Sequence, residues 1–128
     1  MSSEPEQSSN LEFAHVLFMD IVGYSTLPMD EQRSVLQRLN KLVRETAPFK
    51  QAEAEQELIR LPTGDGMALV FFEDPEAPLR CAIEISRTMR ADPRIKLRMG
   101  VHSGAVYRIA DINTGMNVAG GGINIAMR

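Results

Sequence analysis

Two aspartates in this sequence stand at positions where strands are expected to end. Asp20 follows the apolar run at residues 16–19 (Val-Leu-Phe-Met), and Asp65 lies within residues 63–66 (Thr-Gly-Asp-Gly). Hard divalent ions such as Mg²⁺ and Mn²⁺ prefer carboxylate oxygens as ligands. Two carboxylates held close together also repel each other unless a cation lies between them. The pair is therefore a candidate metal site, although Asp65 could be only a turn residue and Asp20 could only end a strand.

The glycines around Asp65 suit phosphate chemistry. Gly64 and Gly66 permit a tight turn and let the backbone approach a phosphate closely. Divalent ions often share their carboxylate ligands with substrate phosphates. Two such ions roughly 3.5–4 Å apart can activate an attacking oxygen and stabilise a leaving one.

The elements that must position these residues follow from the apolar pattern. Strands are predicted at residues 16–19, 57–61, 67–72 and 97–102, and residues 106–109 either extend the last of these or form an arm. One helix opens at residues 28–30, with Asp30 as its N-cap, and has apolar residues at 35, 36, 39, 42 and 43. A second helix starts near Pro75 and Pro78 and stops near residue 92. A polar segment, residues 50–56, connects the first helix to the second strand.

The order β-α-β-β-α-β predicts an α+β, ferredoxin-like fold, with an antiparallel sheet and helices on one face. The second strand then runs parallel to the first, so the hairpin that carries Asp65 lies at the same end of the sheet as Asp20. Because the third strand pairs with the first in this fold, the two carboxylates are expected side by side.

Composition excludes several classes of protein. The 128 residues include 14 basic and 17 acidic ones, for a net charge of -3, whereas a binder of duplex nucleic acid carries a basic face. The single Cys81 excludes an internal disulfide, fits a reducing cytoplasm and is expected to be a buried helix residue. No apolar run approaches the roughly 20 residues that span a bilayer. Residues 1–12 are expected to be a disordered lead-in, followed by one domain at 13–128.

Four segments together resemble the catalytic domain of class III adenylate and guanylate cyclases of the bacterial type. Residues 18–25 (Phe-Met-Asp-Ile-Val-Gly-Tyr-Ser) are similar to the first metal-binding segment of that family, and residues 63–66 to the second. Residues 98–104 (Arg-Met-Gly-Val-His-Ser-Gly) match its central strand, and residues 120–128 match its Asn-x-x-x-Arg helix. The resemblance runs from about residue 16 to residue 128 and implies a nucleotide cyclase fold.

The resemblance also implies roles for particular residues. The family's site forms between two catalytic domains arranged head to tail, here a homodimer or a pair with a related cyclase domain. One domain would supply Asp20, Asp65 and the main-chain carbonyl of Ile21 to two Mg²⁺ or Mn²⁺ ions. The other would supply Asn124, which orients the ribose, and Arg128, which stabilises charge on the α-phosphate. The i, i+4 spacing puts Asn124 and Arg128 on one helical face.

Further positions are expected to contact the nucleotide. These are Gly23, Tyr24 and Ser25 in the first segment and Gly64 in the second, together with the two base-reading positions. Adenylate cyclases usually carry Lys and guanylate cyclases Glu where this chain has Leu61, and many adenylate cyclases carry Asp where it has Asn117. An amide can still contact a base edge but Leu61 cannot, so the choice of purine stays open, with ATP ahead of GTP.

The expected function is therefore a lyase for intracellular signalling in the cytoplasm. It would convert ATP or GTP into a 3′,5′-cyclic nucleotide and pyrophosphate, by attack of the ribose 3′-oxygen on the α-phosphate. The alternative is a non-catalytic cyclase-homology module that binds nucleotide or dimerises to regulate attached domains. A polymerase palm or diguanylate cyclase shares the topology, but its hairpin motif differs from Gly64-Asp65-Gly66.

The predicted last helix begins at Ile123 and reaches the final residue, Arg128. The sequence is therefore expected to be a domain that is incomplete at its C-terminus. The family's downstream strands, and a Lys that contacts the triphosphate, are not part of these 128 residues. Little or no turnover is expected from these residues alone.

His102 has no second His or Cys nearby at metal-ligand spacing. A packed, hydrogen-bonded histidine is the favoured interpretation.

Overall fold

A long strand, β1, lies at the centre of the sheet that organises this protein. The computed structural model describes residues 9–92, 95–111 and 115–119, and the side chains of 11–92 and 95–106. In chain order the elements within these ranges are β1 (Ser9–Ile21), α1 (Met29–Arg44), α2 (Ala47–Ala54), β2 (Leu58–Pro62), β3 (Gly66–Phe71), α3 (Ala77–Met89), β4 (Leu97–Asp111) and β5 (Gly115–Ala119).

The strand order is β2-β3-β1-β4-β5, and every neighbouring pair is antiparallel. The order β2-β3-β1-β4 is the one expected of a ferredoxin-like sheet. β1 pairs with β3, as predicted from the topology. The α+β fold class predicted from the sequence is confirmed. Cα atoms of the outermost strands, β2 and β5, come within 8 Å of each other, so the sheet is strongly curled.

The helices cover one face of this sheet, here called the helix face. Alternate residues of the central strands point to it and pack against all three helices. The buried core on this face consists of Leu17, Met19, Ile21, Leu39, Val43, Phe49, Ala52, Met67, Leu69, Phe71, Ala77, Cys81 and Ile85. Burying large apolar side chains such as these stabilises a fold by roughly 1.5–3 kcal/mol each.

The opposite face, here called the open face, has an apolar cluster of its own. Its buried members are Ala14, Val16, Ala68, Val70, Phe72 and Val106, with Phe18, Ile59 and Leu61 packed against them. Because β3 is buried along its whole length, the run of residues 67–72 is apolar without alternation. The curled sheet therefore has buried apolar side chains on both faces. Asp20 is the last residue of β1 on the open face.

Two local features of the helices differ from the sequence predictions. Helix α1 begins at Met29 with Pro28 at the N-cap position, so Asp30, predicted as the N-cap, lies in the first turn. Its charge still favours the helix there, because the N-terminal end of a helix dipole is positive. The segment predicted as a polar connection, residues 50–56, is largely helical and belongs to α2.

The strands at both ends of the described chain also extend the predicted pattern. β1 begins at Ser9, within the stretch predicted as a disordered lead-in, because β4 continues far enough to pair with it. Residues 106–109 extend β4 rather than forming a separate arm. β5 was not predicted, and residues 1–8 lie outside the described part of the chain.

No helix within the described ranges has the length and apolar character needed to cross a membrane.

Candidate active site

Asp20 is the penultimate residue of β1 and lies on the open face. It is opposite Gly66 of β3 and opposite Arg98 of β4. Residues that face each other across an antiparallel pair share one side of the sheet. The side chain is 27% exposed, so the carboxylate is accessible to a small ion while one side of it is shielded.

Asp65 is held next to this strand end by a backbone hydrogen bond. The amide of Ile21 donates to the carbonyl oxygen of Asp65 at 2.9 Å. The turn itself is closed by a bond from the Thr63 amide to the Gly66 carbonyl at 3.2 Å. Gly64 adopts φ +93°, a left-handed conformation that side-chain-bearing residues rarely take. The structure therefore brings together four predicted site residues, Asp20, Ile21, Asp65 and Gly64.

Gly66 permits the close approach of β3 to β1 at this point. A Cβ atom at residue 66 would stand 2.0 Å from the carbonyl oxygen of Met19 and 2.8 Å from the Cα of Asp20. Backbone atoms cannot give way as a side chain can, so only glycine fits here. The second glycine of the Thr-Gly-Asp-Gly segment thus has a packing role that fixes the distance between the strands carrying the two aspartates.

Arg98 is a member of this site that the sequence did not single out. Its Nε donates to Oδ1 of Asp20 at 3.0 Å. Arg98 belongs to the alternating pattern of β4, and its pairing opposite Asp20 follows from the register of β1 with β4. Alternation alone gives its face, but only the register gives its partner.

The loop after β1 contains three further predicted site residues. Gly23 has φ +73° and precedes a short 3-10 helix, Tyr24–Thr26. The side chain of Gln32 in α1 donates to two carbonyl oxygens of this loop at 3.1 Å each, which holds the loop against the helix. Ser25 is exposed, whereas the side chain of Tyr24 packs against the core of the helix face. Tyr24 therefore anchors the loop by its side chain.

The two base-reading positions lie at different places. Leu61 is on the open face, opposite Ala68 and packed against the apolar cluster there. Asn117 is in β5, opposite Ile109 of β4, and its side chain is outside the described set. Asn124 and Arg128 lie outside the described residues, so their predicted roles stay predictions.

The two histidines have different environments. His102 is on the open face opposite Val16, with its Nε2 near Gly104. His15 is buried, and its Nδ1 shares a hydrogen bond of 2.8 Å with Oγ of Ser103. Within the described residues no group of three or more His, Cys, Asp and Glu side chains could hold a metal ion.

The residues predicted as metal ligands offer oxygen donors at the end of β1, and a donor set of this chemistry is what a hard divalent ion requires. The strand end already attracts a cation, because the guanidinium of Arg98 occupies one oxygen of Asp20. Carboxylate and main-chain carbonyl oxygens are hard ligands that suit Mg²⁺ and Mn²⁺. Asp20, Asp65 and the carbonyl of Ile21 are the groups that would hold such ions.

The structure is similar to several solved structures of cyclases. A bacterial light-regulated adenylyl cyclase matches with a TM-score of 0.71 at 17% identity, covering 91% of this chain and 68% of that one. An adenylate/guanylate cyclase/hydrolase from Silicibacter pomeroyi is 29% identical, with a TM-score of 0.61 and coverage of 94% and 70%. The catalytic core of a rhodopsin-guanylyl cyclase in complex with ATPαS is 19% identical, with a TM-score of 0.65 and coverage of 92% and 71%.

The sequence itself matches no protein-family model and no curated protein.

Proposed function

We propose that this chain is the catalytic domain of a nucleotide cyclase. It has the fold of adenylyl and guanylyl cyclase catalytic domains, as its resemblance to them predicted. Its substrate would be ATP, or less favourably GTP, and its products a 3′,5′-cyclic nucleotide and pyrophosphate. The reaction would take place between two such domains, in a homodimer or with a related cyclase domain.

One observation carries this proposal. The 2.9 Å bond from the Ile21 amide to the Asp65 carbonyl joins the end of β1 to the β2–β3 turn. Two residues that resemble the metal ligands of the cyclase family are thereby joined by a backbone hydrogen bond, although Ile21 and Asp65 are far apart in the sequence. A glycine that admits no Cβ keeps the strands close at the same point.

The residues of the chain would contribute mainly by positioning and charge. Asp20 and Asp65 would hold two Mg²⁺ or Mn²⁺ ions, which supply charge neutralisation and activation of the attacking oxygen. Asn124 from the second domain would orient the ribose, so that its 3′-oxygen lies in line with the α-phosphate. Arg128 would donate to the oxygens of that phosphate, because a guanidinium stays charged and offers paired donors.

The purine base of the substrate would be held without a charged side chain at the base-reading position of residue 61. Leu61 presents a methyl-bearing side chain on the open face, where it packs with Ile59 and Ala68. A site built to hydrogen-bond its substrate can reject an analogue by several kcal/mol, and an apolar contact cannot do so. We therefore expect weak discrimination between adenine and guanine, with Asn117 as the polar group that remains.

The test is a turnover assay on the full-length protein that carries this domain, with Mn²⁺ and either ATP or GTP. Formation of a 3′,5′-cyclic nucleotide with equimolar pyrophosphate is expected. Asp20→Asn, which keeps the size of the side chain and removes its charge, should abolish the product. The matched control is Glu45→Gln at the C-cap of α1, the opposite end of that helix from the loop after β1, which also replaces an exposed carboxylate by an amide and should leave the rate unchanged.

A second candidate function is favoured by Leu61. Loss of the charged base reader is also what a non-catalytic module would tolerate, one that binds nucleotide or dimerises to regulate attached domains. Nucleotide binding by the full-length protein, without product under any of these conditions, would select this alternative. Absence of product, of nucleotide binding and of dimerisation would contradict both functions.

A further inference from the structure

An ion pair between Arg98 and Asp20 lies at the candidate metal site and uses one of the oxygens predicted to bind the metal. Arg98 contacts Oδ1 of Asp20 through Nε at 3.0 Å. The two side chains differ in accessibility, because that of Asp20 is 27% exposed and that of Arg98 is 71% exposed. The acidic partner is therefore fixed near the sheet, and the basic partner reaches it from solvent.

The pairing of β1 with β4 fixes this geometry. Asp20 lies opposite Arg98, and the flanking pairs Met19–Met99 and Ile21–Leu97 continue the same register. Side chains at 19 and 21 are buried on the helix face, so the register cannot slip by one residue without exposing them. The guanidinium thus stays within reach of Asp20 whether or not it is bonded to it.

The bond itself is easily broken. Exposed ion pairs are weak and are screened by salt, and an arginine side chain has several rotatable bonds. A divalent ion on Oδ1 would compete directly with the guanidinium, because both are cations that use the same oxygen. Their mutual repulsion at such short distances would also drive the guanidinium away.

We propose that Arg98 is a displaceable counter-ion of the metal site, which neutralises Asp20 in the metal-free protein and must leave when a divalent ion binds. This inference rests on the proposed function, because it takes Asp20 as a metal ligand. It adds that metal affinity is lowered by a residue of the chain itself. It also makes the position of the Arg98 side chain a reporter of metal occupancy.

The first experiment measures Mn²⁺ affinity directly, by the loss of the free-ion signal in electron paramagnetic resonance. The 128-residue chain, Arg98→Gln, Asp20→Asn and Arg44→Gln are titrated at low ionic strength. Arg98→Gln should bind Mn²⁺ about two- to fivefold more tightly, the factor that corresponds to the strength of an exposed ion pair. The matched control, Arg44→Gln, removes the same charge at the far end of α1 and should leave the affinity unchanged.

The second experiment follows the Nε–H resonance of Arg98 by NMR during titration with diamagnetic Mg²⁺. The resonance should move toward the position of a solvent-exposed arginine as the ion binds. In Asp20→Asn it should start near that position and should not respond. Circular dichroism of each variant checks that it is folded, which the high exposure of Arg98 favours.

The outcomes separate this inference from the proposed function. If Asp20→Asn abolishes Mn²⁺ binding but Arg98→Gln binds no more tightly than the unmodified chain, the counter-ion role is wrong while the metal site stands. Weaker binding by Arg98→Gln would likewise overturn it. If no variant binds Mn²⁺, or if Asp20→Asn binds as well as the unmodified chain, Asp20 is not a metal ligand and both proposals fail.

Discussion

Two glycines in the sheet lack room for a side chain for different reasons. A Cβ atom on Gly66 would meet the backbone of β1 at 2.0 Å. A Cβ atom on Gly100 of β4 would meet the ring of Phe18, with the nearest ring carbon at 2.4 Å. A ring can rotate or shift, whereas the backbone of a central strand is held by hydrogen bonds on both sides.

This contrast gives a first prediction. Gly66→Ala should lower the free energy of unfolding by about 3 kcal/mol and Gly100→Ala by about 1 kcal/mol, the two ends of the usual range for overpacking. Urea unfolding followed by circular dichroism would measure both. Combining Gly100→Ala with Phe18→Leu should recover part of the loss, because the smaller side chain vacates the space that the methyl group needs. An equal cost for the two single changes would show that the strand can move as readily as the ring.

Cys81 is the other residue whose chemistry is decided by packing. The sequence predicted a buried helix residue, and Cys81 is fully buried in α3. Burial raises the pKa of its thiol to about 11, against the opposing effect of a hydrogen bond with Thr46. The thiolate is the reactive form, so this thiol is expected to be inert near neutral pH.

The raised pKa predicts a loss of stability in alkaline solution. The unfolded thiol ionises near the ordinary value of 9.0 and the folded one near 11. The contribution is therefore complete below pH 9 and declines as the pH rises through 11, by at most about 3 kcal/mol. Chemical unfolding of the unmodified chain and of Cys81→Ala between pH 8 and pH 11 would show it. The variant should have the shallower decline, and parallel profiles would contradict the prediction.

At the scale of elements, α2 shows how a short helix depends on its cap. Its N-cap residue, Thr46, is buried, and its hydroxyl accepts from the Phe49 amide at 3.4 Å and donates to the Val43 carbonyl at 2.9 Å. The same hydroxyl contacts Cys81 of α3 at 3.4 Å. One side chain therefore ends α1, begins α2 and connects both to α3.

Replacing this cap should have a measurable cost. We expect Thr46→Ala to lower the free energy of unfolding by about 1–2 kcal/mol, the usual loss for a threonine N-cap. Thr46→Ser keeps the hydroxyl and should lose much less, so the pair separates the hydrogen bonds from the methyl group. Thermal or urea unfolding of both variants measures this. A loss in Thr46→Ser as large as that in Thr46→Ala would assign the effect to packing instead.

The elements that the sequence predicted well are those with a strong apolar pattern. The run at residues 16–19 predicted the core of β1, and the spacing from Val35 to Val43 predicted α1. The segment that became α2 was misjudged because residues 50–56 are mostly polar, with Ala52 as their buried residue, while the buried Pro48 and Phe49 come earlier. The β2–β3 turn was predicted from Asp-Gly, and the structure adds the reason why glycine must follow the aspartate.

Some residues of the candidate site were predicted from the sequence and others were not. Asp20 and Asp65 were predicted to meet from topology, and the backbone bond of Ile21 to Asp65 shows that their strand ends do meet. Arg98 was missed because its role depends on register, which alternation does not specify. The packing of Tyr24 into the helix-face core was also missed, because a motif gives a residue's position and not the direction of its side chain.

At the scale of the whole molecule, Asp20 lies on the open face, away from the helices. A partner domain that supplied Asn124 and Arg128 would therefore approach this face. We expect Asp20→Asn and Arg128→Ala to be inactive separately in the full-length protein and to regain activity when mixed. The mixture should reach about a quarter of the unmodified rate, because half of the dimers are mixed and each keeps one intact site of two.

Cyclic nucleotide production measured over a range of mixing ratios would test this, with a maximum expected at equal amounts. A mixture of Asp20→Asn with Asp65→Asn, which both damage the same half of the site, is the control and should stay inactive. Recovery in that control, or none in the first mixture, would contradict a site shared between two domains.

The long pairing of β1 with β4 has a consequence for how the protein is made. Ser9–Ile21 is synthesised before its partners at residues 97–109, which come about 90 positions later in the chain. Contacts this distant in sequence must close a large loop of chain, which makes folding slow. During synthesis one edge of β1 stays open until β4 emerges from the ribosome, and unpaired strand edges favour aggregation. The strand that positions Asp20, β1, therefore stays unpaired on one edge until its second partner strand, β4, has been synthesised.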